Sequence, residues 1–324
     1  MWNNTQIEEL CKSELIAISG EVTNSANLFT NYEYVRNHFC TDLYQNIAKV
    51  EPDLTDHGED HIKNVLINAY ELFQCEDNFY QPLELYVMCM AILIHDIGNL
   101  NGRAGHEKTL IKYFNPTEFP QIGRSDMKII IDIAKAHGGG GDTISKLQMN
   151  HLLGKPINSQ CIAALVRFSD ELAEGPQRTS RTMIEHGLIS ENSLLYHQYA
   201  DCLNQPSILN NAIKLEYHII VNKYTLKELN ELLNITFHRI DKLNYERIYC
   251  GHYSEVIQRI KKVIVKIDFF ENKDSFDVIK IDSDLVELEL SNLNCKKNDI
   301  SKMNEHIEKI MQIVSPFCKE SNSE

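Results

Sequence analysis

The chain lacks the features that mark several large protein classes. No Cys-x-x-Cys spacing occurs among its nine cysteines (11, 40, 75, 89, 161, 202, 250, 295 and 318). An odd set scattered along 324 residues reads as reduced core thiols, not as a disulfide framework or a zinc ribbon. Positive charge is in deficit: 32 Lys and Arg stand against 46 Asp and Glu, a net charge of -14. That balance argues against an extended nucleic-acid surface and leaves open a locally basic pocket for small anionic ligands. No apolar run approaches membrane-span length, and the N-terminus has no basic stretch followed by an apolar one. The expectation is a soluble cytoplasmic protein with no membrane partner. Repeats and long low-complexity tracts are missing as well. What remains, at 43% hydrophobic residues, suffices for a sizeable core in one large domain or two.

The most informative stretch is Ile92-Leu-Ile-His-Asp-Ile-Gly98. The run before it, Leu85 to Ile94, is apolar on every face, so a helix there is buried all round. Met, Ala and Leu without a turn signal favour helix over strand, and Gly98 is expected to end it. His95 and Asp96 at the end of a buried helix are costly to desolvate unless both are satisfied, and a shared divalent cation is one way to do so.

Upstream, residues 5–50 hold two expected helices broken near Ser19-Gly20. A turn-rich segment then leads to a helix beginning near Gly58, with Thr55 or Asp56 as its cap. Ile62, Val65, Leu66, Ala69, Leu72 and Phe73 form its apolar stripe, and His61 lies on or beside that stripe. His57 precedes the helix, where solvent exposure or hydrogen-bonding support is expected. Downstream, a glycine-spaced loop carries Arg103, His106 and Glu107 before an expected helix from Lys108 to Phe114. A histidine with a carboxylate near a metal suits proton transfer or phosphate stabilisation. The bland reading has Glu107 complementing the dipole of that next helix.

An amphipathic helix is expected over Ser125–Ala136, ending at His137. The glycine run 138–141 follows a helix C-terminus, where the dipole has the wrong sign for phosphate, so a lid or linker is the expected role. Ser159 to Ala173 reads as a helix with Asp170 on its inward side, and a buried Asp needs an Arg, a cap or a metal. Arg178 and Arg181 follow the Gly175-Pro176 break. Beyond residue 188 the texture changes. Strands are expected at 214–221, 259–270 and 275–281, a long helix at 225–249, a turn at Asn272-Lys-Asp274, and a last amphipathic helix at 301–314.

In chain order the singled-out residues are His61, His95-Asp96 and Asp170. This order resembles the HD-domain superfamily of metal-dependent phosphohydrolases. The matching segments are His61-Ile-Lys-Asn-Val65, Leu93-Ile-His-Asp-Ile-Gly98 and Val166-Arg-Phe-Ser-Asp-Glu-Leu172, and the resemblance covers residues 55 to about 182. It implies a mainly α fold: an HD-type helical bundle over 1–187, with a small α/β extension over 188–324 packed on it or continuous with it. Carried over position by position, it makes His61, His95, Asp96 and Asp170 the metal ligands. His106 and His137 stand where further histidines of the family bind a second metal or the phosphate. The extension resembles those of HD proteins in bacterial conflict and antiviral-defence systems, whereas the Arg-rich motif of the deoxynucleotide triphosphohydrolase branch is not matched.

The donor set suits Mn, Fe, Ni, Co or Zn better than Ca, with Mg also admitted and one or two ions expected. Asp96, His106, Glu107 and His137 are the candidate catalytic groups, and Arg103 and Arg178 the candidate phosphate binders. The implied activity is hydrolysis of a (deoxy)nucleoside triphosphate or related nucleotide phosphoester. Alternatives are a phosphodiesterase of cyclic nucleotides or cyclic dinucleotides, and a non-catalytic nucleotide-sensing or scaffolding module. The expected partner is a nucleotide, and a homo-oligomer is compatible with the sequence.

Overall fold

The computed structural model describes residues 2–73, 81–138, 141–291 and 300–320. They form two compact units, Met1–Ala173 with Tyr249–Arg259, and Glu174–Ile248 with Ile260–Glu324. The division falls after Ala173, earlier than the boundary at 187 expected from the change in texture, and Tyr249–Arg259 returns to the first unit.

Helices α1 (Gln6–Ala17), α2 (Ser25–His38), the short α3 (Ile47–Val50), α4 (Glu59–Phe73), α5 (Pro82–Ile94), α6 (Arg124–Lys135) and α7 (Ser159–Glu171) build the first unit. Helix α5 lies at its centre because its sequence has no polar face to offer water. Every residue from Leu85 to Ile94 is buried. Pro82 occupies the first turn of α5, and Gln81 and Glu84 close a capping box there. The span Pro82–Asn101 is long and apolar enough to cross a membrane, contrary to the expectation that none is, and 89% of its apolar window is buried inside the protein. Around α5, the amphipathic helices α4 and α7 turn their stripes inward. The Asn68 carboxamide of α4 donates to Ser169 O of α7 at 3.1 Å, fixing the two side by side.

Three local expectations are corrected. Helix α5 stops at Ile94, and Gly98 sits inside the following 3-10 turn, Ile97–Asn101, instead of ending the helix. A Cβ on Gly98 would fall 1.9 Å from His106 O, so the glycine is required by close backbone approach. The Lys108–Phe114 helix does not form. Two 3-10 turns, His106–Lys108 and Leu110–Lys112, take its place, because the Thr109 hydroxyl bonds back to His106 O at 3.0 Å and stops the winding. A hairpin that the sequence reading missed, β1 (Asn150–Leu152) with β2 (Lys155–Ile157), turns on Leu153 and Gly154, both at positive φ.

The second unit holds the short α8 (Arg181–Glu185), α9 (Glu191–Cys202), and the strands β3 (Ser207–Leu209) and β4 (Ala212–Ile220). The long α10 (Leu226–Gly251) and the short α11 (Glu255–Gln258) lead on to β5 (Lys262–Phe270), α12 (Ser283–Val286), β6 (Glu287–Leu290) and α13 (Ile300–Val314). The sheet order is β3-β4-β5-β6, and only the β4–β5 pair is parallel, as the long helical crossover between them demands. Ile213, Leu215, Tyr217 and Ile219 face inward beside Val263, Val265, Ile267 and Phe269, the period-two pattern that singled these strands out. The expected strand at 275–281 is a single bridge at Val278, since Phe276 there is 97% exposed and nothing packs it. The fold is mainly α with a C-terminal α/β part. Seven cysteines among the described residues are free thiols, and Cys75 and Cys295 lie outside those residues.

Candidate metal centre

Three segments of the first unit bring four residues together at Asp96. His61 comes from the first turn of α4, where the inward stripe begins; His95 and Asp96 follow directly on α5; Asp170 sits in the last turn of α7. His61 Nε2 lies 3.1 Å from Asp170 Oδ1 and 3.5 Å from Asp96 Oδ2, and His95 Nε2 lies 3.4 Å from Asp96 Oδ2 and 3.6 Å from Asp170 Oδ1. The other oxygen of Asp96 faces a second group. Its Oδ1 is 3.0 Å from His106 Nε2 and 3.7 Å from His137 Nε2, and those two nitrogens are 3.2 Å apart.

These separations have a simple meaning. Donor atoms about 2.0–2.2 Å from one ion stand roughly 3.0–3.6 Å from each other at tetrahedral to octahedral angles. The rings are also turned for the task. Nδ1 of His95 bonds Ile92 O at 2.7 Å, Nδ1 of His106 bonds Arg103 O at 3.1 Å, and Nδ1 of His137 bonds Ala134 O at 2.5 Å. A carbonyl can only accept, so each Nδ1 carries the proton and each Nε2 keeps its lone pair for the centre. Nε2 of both His61 and His95 is buried without a hydrogen bond despite the nearby carboxylates. Orphaned acceptors converging on carboxylate oxygens are the arrangement that a divalent cation satisfies, so the residues fit such an ion.

The electrostatics agree. Burial opposes charge on the His95 ring, but the Asp96 and Asp170 carboxylates outweigh it and push its pKa up to about 10. Burial likewise opposes ionisation of Asp96 and Asp170. The charged His95 ring and the other imidazoles close by prevail, holding both well below the usual carboxylate range. His137 is pushed down, by burial first and by the neighbouring His95 charge next. Without an ion, then, the centre holds a proton where a cation would go.

The remaining expected residues fall as follows. Arg103 reaches over the centre with its guanidinium 3.8 Å from Asp96 Oδ1, and its side chain is 51% exposed. Asp170 is 27% exposed, so the centre is open on that side. Glu107 Oε2 is 3.7 Å from His106 Nδ1, and the helix whose dipole Glu107 was alternatively to complement does not exist. Of the glycine run, residues 139 and 140 lie outside the described residues, and with them the lid reading. Arg178 belongs to the second unit, where its guanidinium pairs with Glu174 at 3.2 Å.

His57 takes the second of its two expected places. Expected in solvent or in support, it is buried, with Nδ1 bonded to Thr55 O, Nε2 3.9 Å from Asp96 Oδ2 and its ring 5.3 Å from that of His61. The signal was the His57-x-x-x-His61 spacing, which brings two side chains together across one turn even where the first precedes the helix.

A family model described as HD-CE matches residues 51–246. Comparison with curated proteins gave no match.

Proposed function

Because the chain belongs to the HD-CE family, a family related to HD domains, and gathers a buried His/Asp cluster able to hold a divalent metal, we propose that it is a metal-dependent hydrolase of nucleotide phosphoesters. The observation carrying this reading is Asp96. One oxygen faces His61, His95 and Asp170 and the other faces His106 and His137, so a single carboxylate would serve either ligand group. Divalent ions there supply Lewis acidity to a phosphoryl oxygen and make water acidic enough to attack near neutral pH.

The chain's own groups do the rest. Asp96, Asp170 and the Nε2 lone pairs would hold the metal, and Arg103 would neutralise phosphate charge with a planar guanidinium. The attacking water would lie against Asp96, and the Glu107 carboxylate, 3.7 Å from His106 Nδ1 and outside both ligand groups, would take its proton. A (deoxy)nucleoside triphosphate is the first substrate class. Opening of a cyclic nucleotide or dinucleotide is the second reading, favoured by the guanidinium that Arg103 brings to Asp96, a match for one phosphodiester group.

The test is a panel of linear and cyclic nucleotides with Mn, Mg, Co and Ni, products being separated by chromatography. Phosphate or triphosphate release from linear nucleotides supports the first reading and ring opening the second. Nucleotide binding with no product under any ion would make the chain a sensing module.

A further inference from the structure

A cavity of about 200 Å³ lies beside the centre, between α3 and the start of α4. Tyr44, Ala48, Glu51, Leu54, Asp56 and His57 are among its lining residues. It touches the centre through two of them. His57 is one, 3.9 Å from Asp96 Oδ2. Glu51 is the other: its Oε1 accepts from Arg103 N at 3.0 Å, on the same residue whose guanidinium reaches Asp96. The lining holds the carboxylates of Glu51, Asp56 and Glu59 and no lysine or arginine. A phosphate is repelled there, whereas a neutral group with hydroxyl donors on an apolar ring finds both acceptors and the apolar walls of Ile47, Ala48 and Leu54.

Size narrows the occupant. Pockets for whole drug-sized ligands run to roughly 300–1,000 Å³, so this one takes a single ring, such as the sugar of a mononucleotide, and not a dinucleotide. An acidic side chain on a ribose hydroxyl is the same solution that dinucleotide-binding folds use. We infer that this cavity is the sugar subsite of the substrate and that Glu51 accepts a hydrogen bond from the ribose 2′-hydroxyl, making the protein selective for ribonucleotides over 2′-deoxyribonucleotides. The inference rests on the phosphohydrolase reading above and sets the polarity of substrate binding: phosphate towards Arg103 and Asp96, sugar past His57.

Equilibrium binding tests it without turnover. Calorimetry of the Mn-loaded protein with a ribonucleoside monophosphate and its 2′-deoxy counterpart should show the ribo form binding roughly 10- to 100-fold more tightly, the weight of one hydrogen bond to a carboxylate. Glu51→Gln keeps a carbonyl oxygen for Arg103 N but puts an NH2, which donates and cannot accept the 2′-hydroxyl proton, in place of the second carboxylate oxygen, and should reduce that ratio. Ala48→Leu, which narrows the cavity, should weaken both nucleotides while inorganic phosphate binds as before. Equal affinities in the unaltered protein, or an unchanged ratio in Glu51→Gln, overturns the assignment. Hydrolysis of bis(4-nitrophenyl) phosphate is followed in parallel. Its presence without ribose selectivity sinks the subsite alone, and ribose selectivity without hydrolysis of any phosphoester sinks the phosphohydrolase reading alone.

Discussion

The helix-borne half of the centre, His61, His95 and Asp170, and the turn-borne half, His106 and His137, share Asp96 but are held in different ways. The first is fixed by core packing, since α4 and α7 lie side by side through the Asn68–Ser169 hydrogen bond and α5 is buried between its neighbours. The second hangs on short turns and on one close approach, His106 O against Gly98. A packed core yields as a whole, whereas a turn yields locally. The two halves should therefore be separable by mutation, with the helix-borne half keeping its ion when the other loses one.

Asp96→Ala removes an oxygen from both halves, so the largest effect belongs there. Both ions should be lost and hydrolysis should fall by about 1,000-fold or more, as metal analysis and product release would show. Next come the single-half variants. Asp170→Ala or His95→Ala should empty the helix-borne position, and His137→Ala the turn-borne position, each slowing hydrolysis by roughly 100-fold or more. Normal metal content in Asp170→Ala and His95→Ala would falsify the ligand assignment.

Gly98→Ala is a sharper cut, because it touches no ligand side chain. Pushing His106 O away should cost about 1–3 kcal/mol in denaturant unfolding and weaken only the turn-borne ion. If both ions stay at unaltered affinity, the halves are not built as described.

A smaller and graded effect comes from pH. His95 has its folded-state pKa raised from 6.5 to about 10, so its contribution to the metal-free protein is complete below pH 6.5 and disappears as pH rises through 10. Asp96 and Asp170 are held low, so theirs is present above the ordinary carboxylate range and lost in acid. Metal-free protein should thus unfold more easily between pH 7 and 10, while ion affinity rises over the same interval because the ion displaces the His95 proton. Thermal melts with and without Mn check both signs. The smallest change is Arg103→Ala. Its half-exposed guanidinium should cost about 10-fold in KM for phosphoesters, with ion content unchanged.

The same division explains what could be read beforehand. His61, His95 and Asp170 sit on or beside periodic apolar stripes, and periodicity shows direction as well as helix content, so their inward aim was legible. His106 drew notice by its loop chemistry and His137 by its place after an amphipathic helix, but only the resemblance put both beside the metal, because neither lies on a helical stripe. The turn at Thr109 also depends on a hydroxyl-to-backbone bond that propensity does not reveal. For His57, which precedes α4, no helical phase applies, so solvent and hydrogen-bonding support both stayed open until the structure placed it in support beside Asp96. In the second unit β4 and β5 announced themselves by alternation, while β3 and β6, each of three or four residues at a sheet edge, were too short to do so.

The bonds from Nδ1 of His95, His106 and His137 each end on the carbonyl three residues earlier in the chain. Each imidazole is thereby aimed by a bond within its own tetrapeptide, in addition to its packing in the centre. Aim and placement are then separate properties: the local segment sets the direction of a lone pair, and the tertiary fold sets where that direction begins. A fluctuation that loosens the bundle should then spread the donors more than it turns them, so an ion entering the loosened centre would meet rings already facing it. Recapture becomes a question of distance alone, which shortens the search that a freely turning ring would impose.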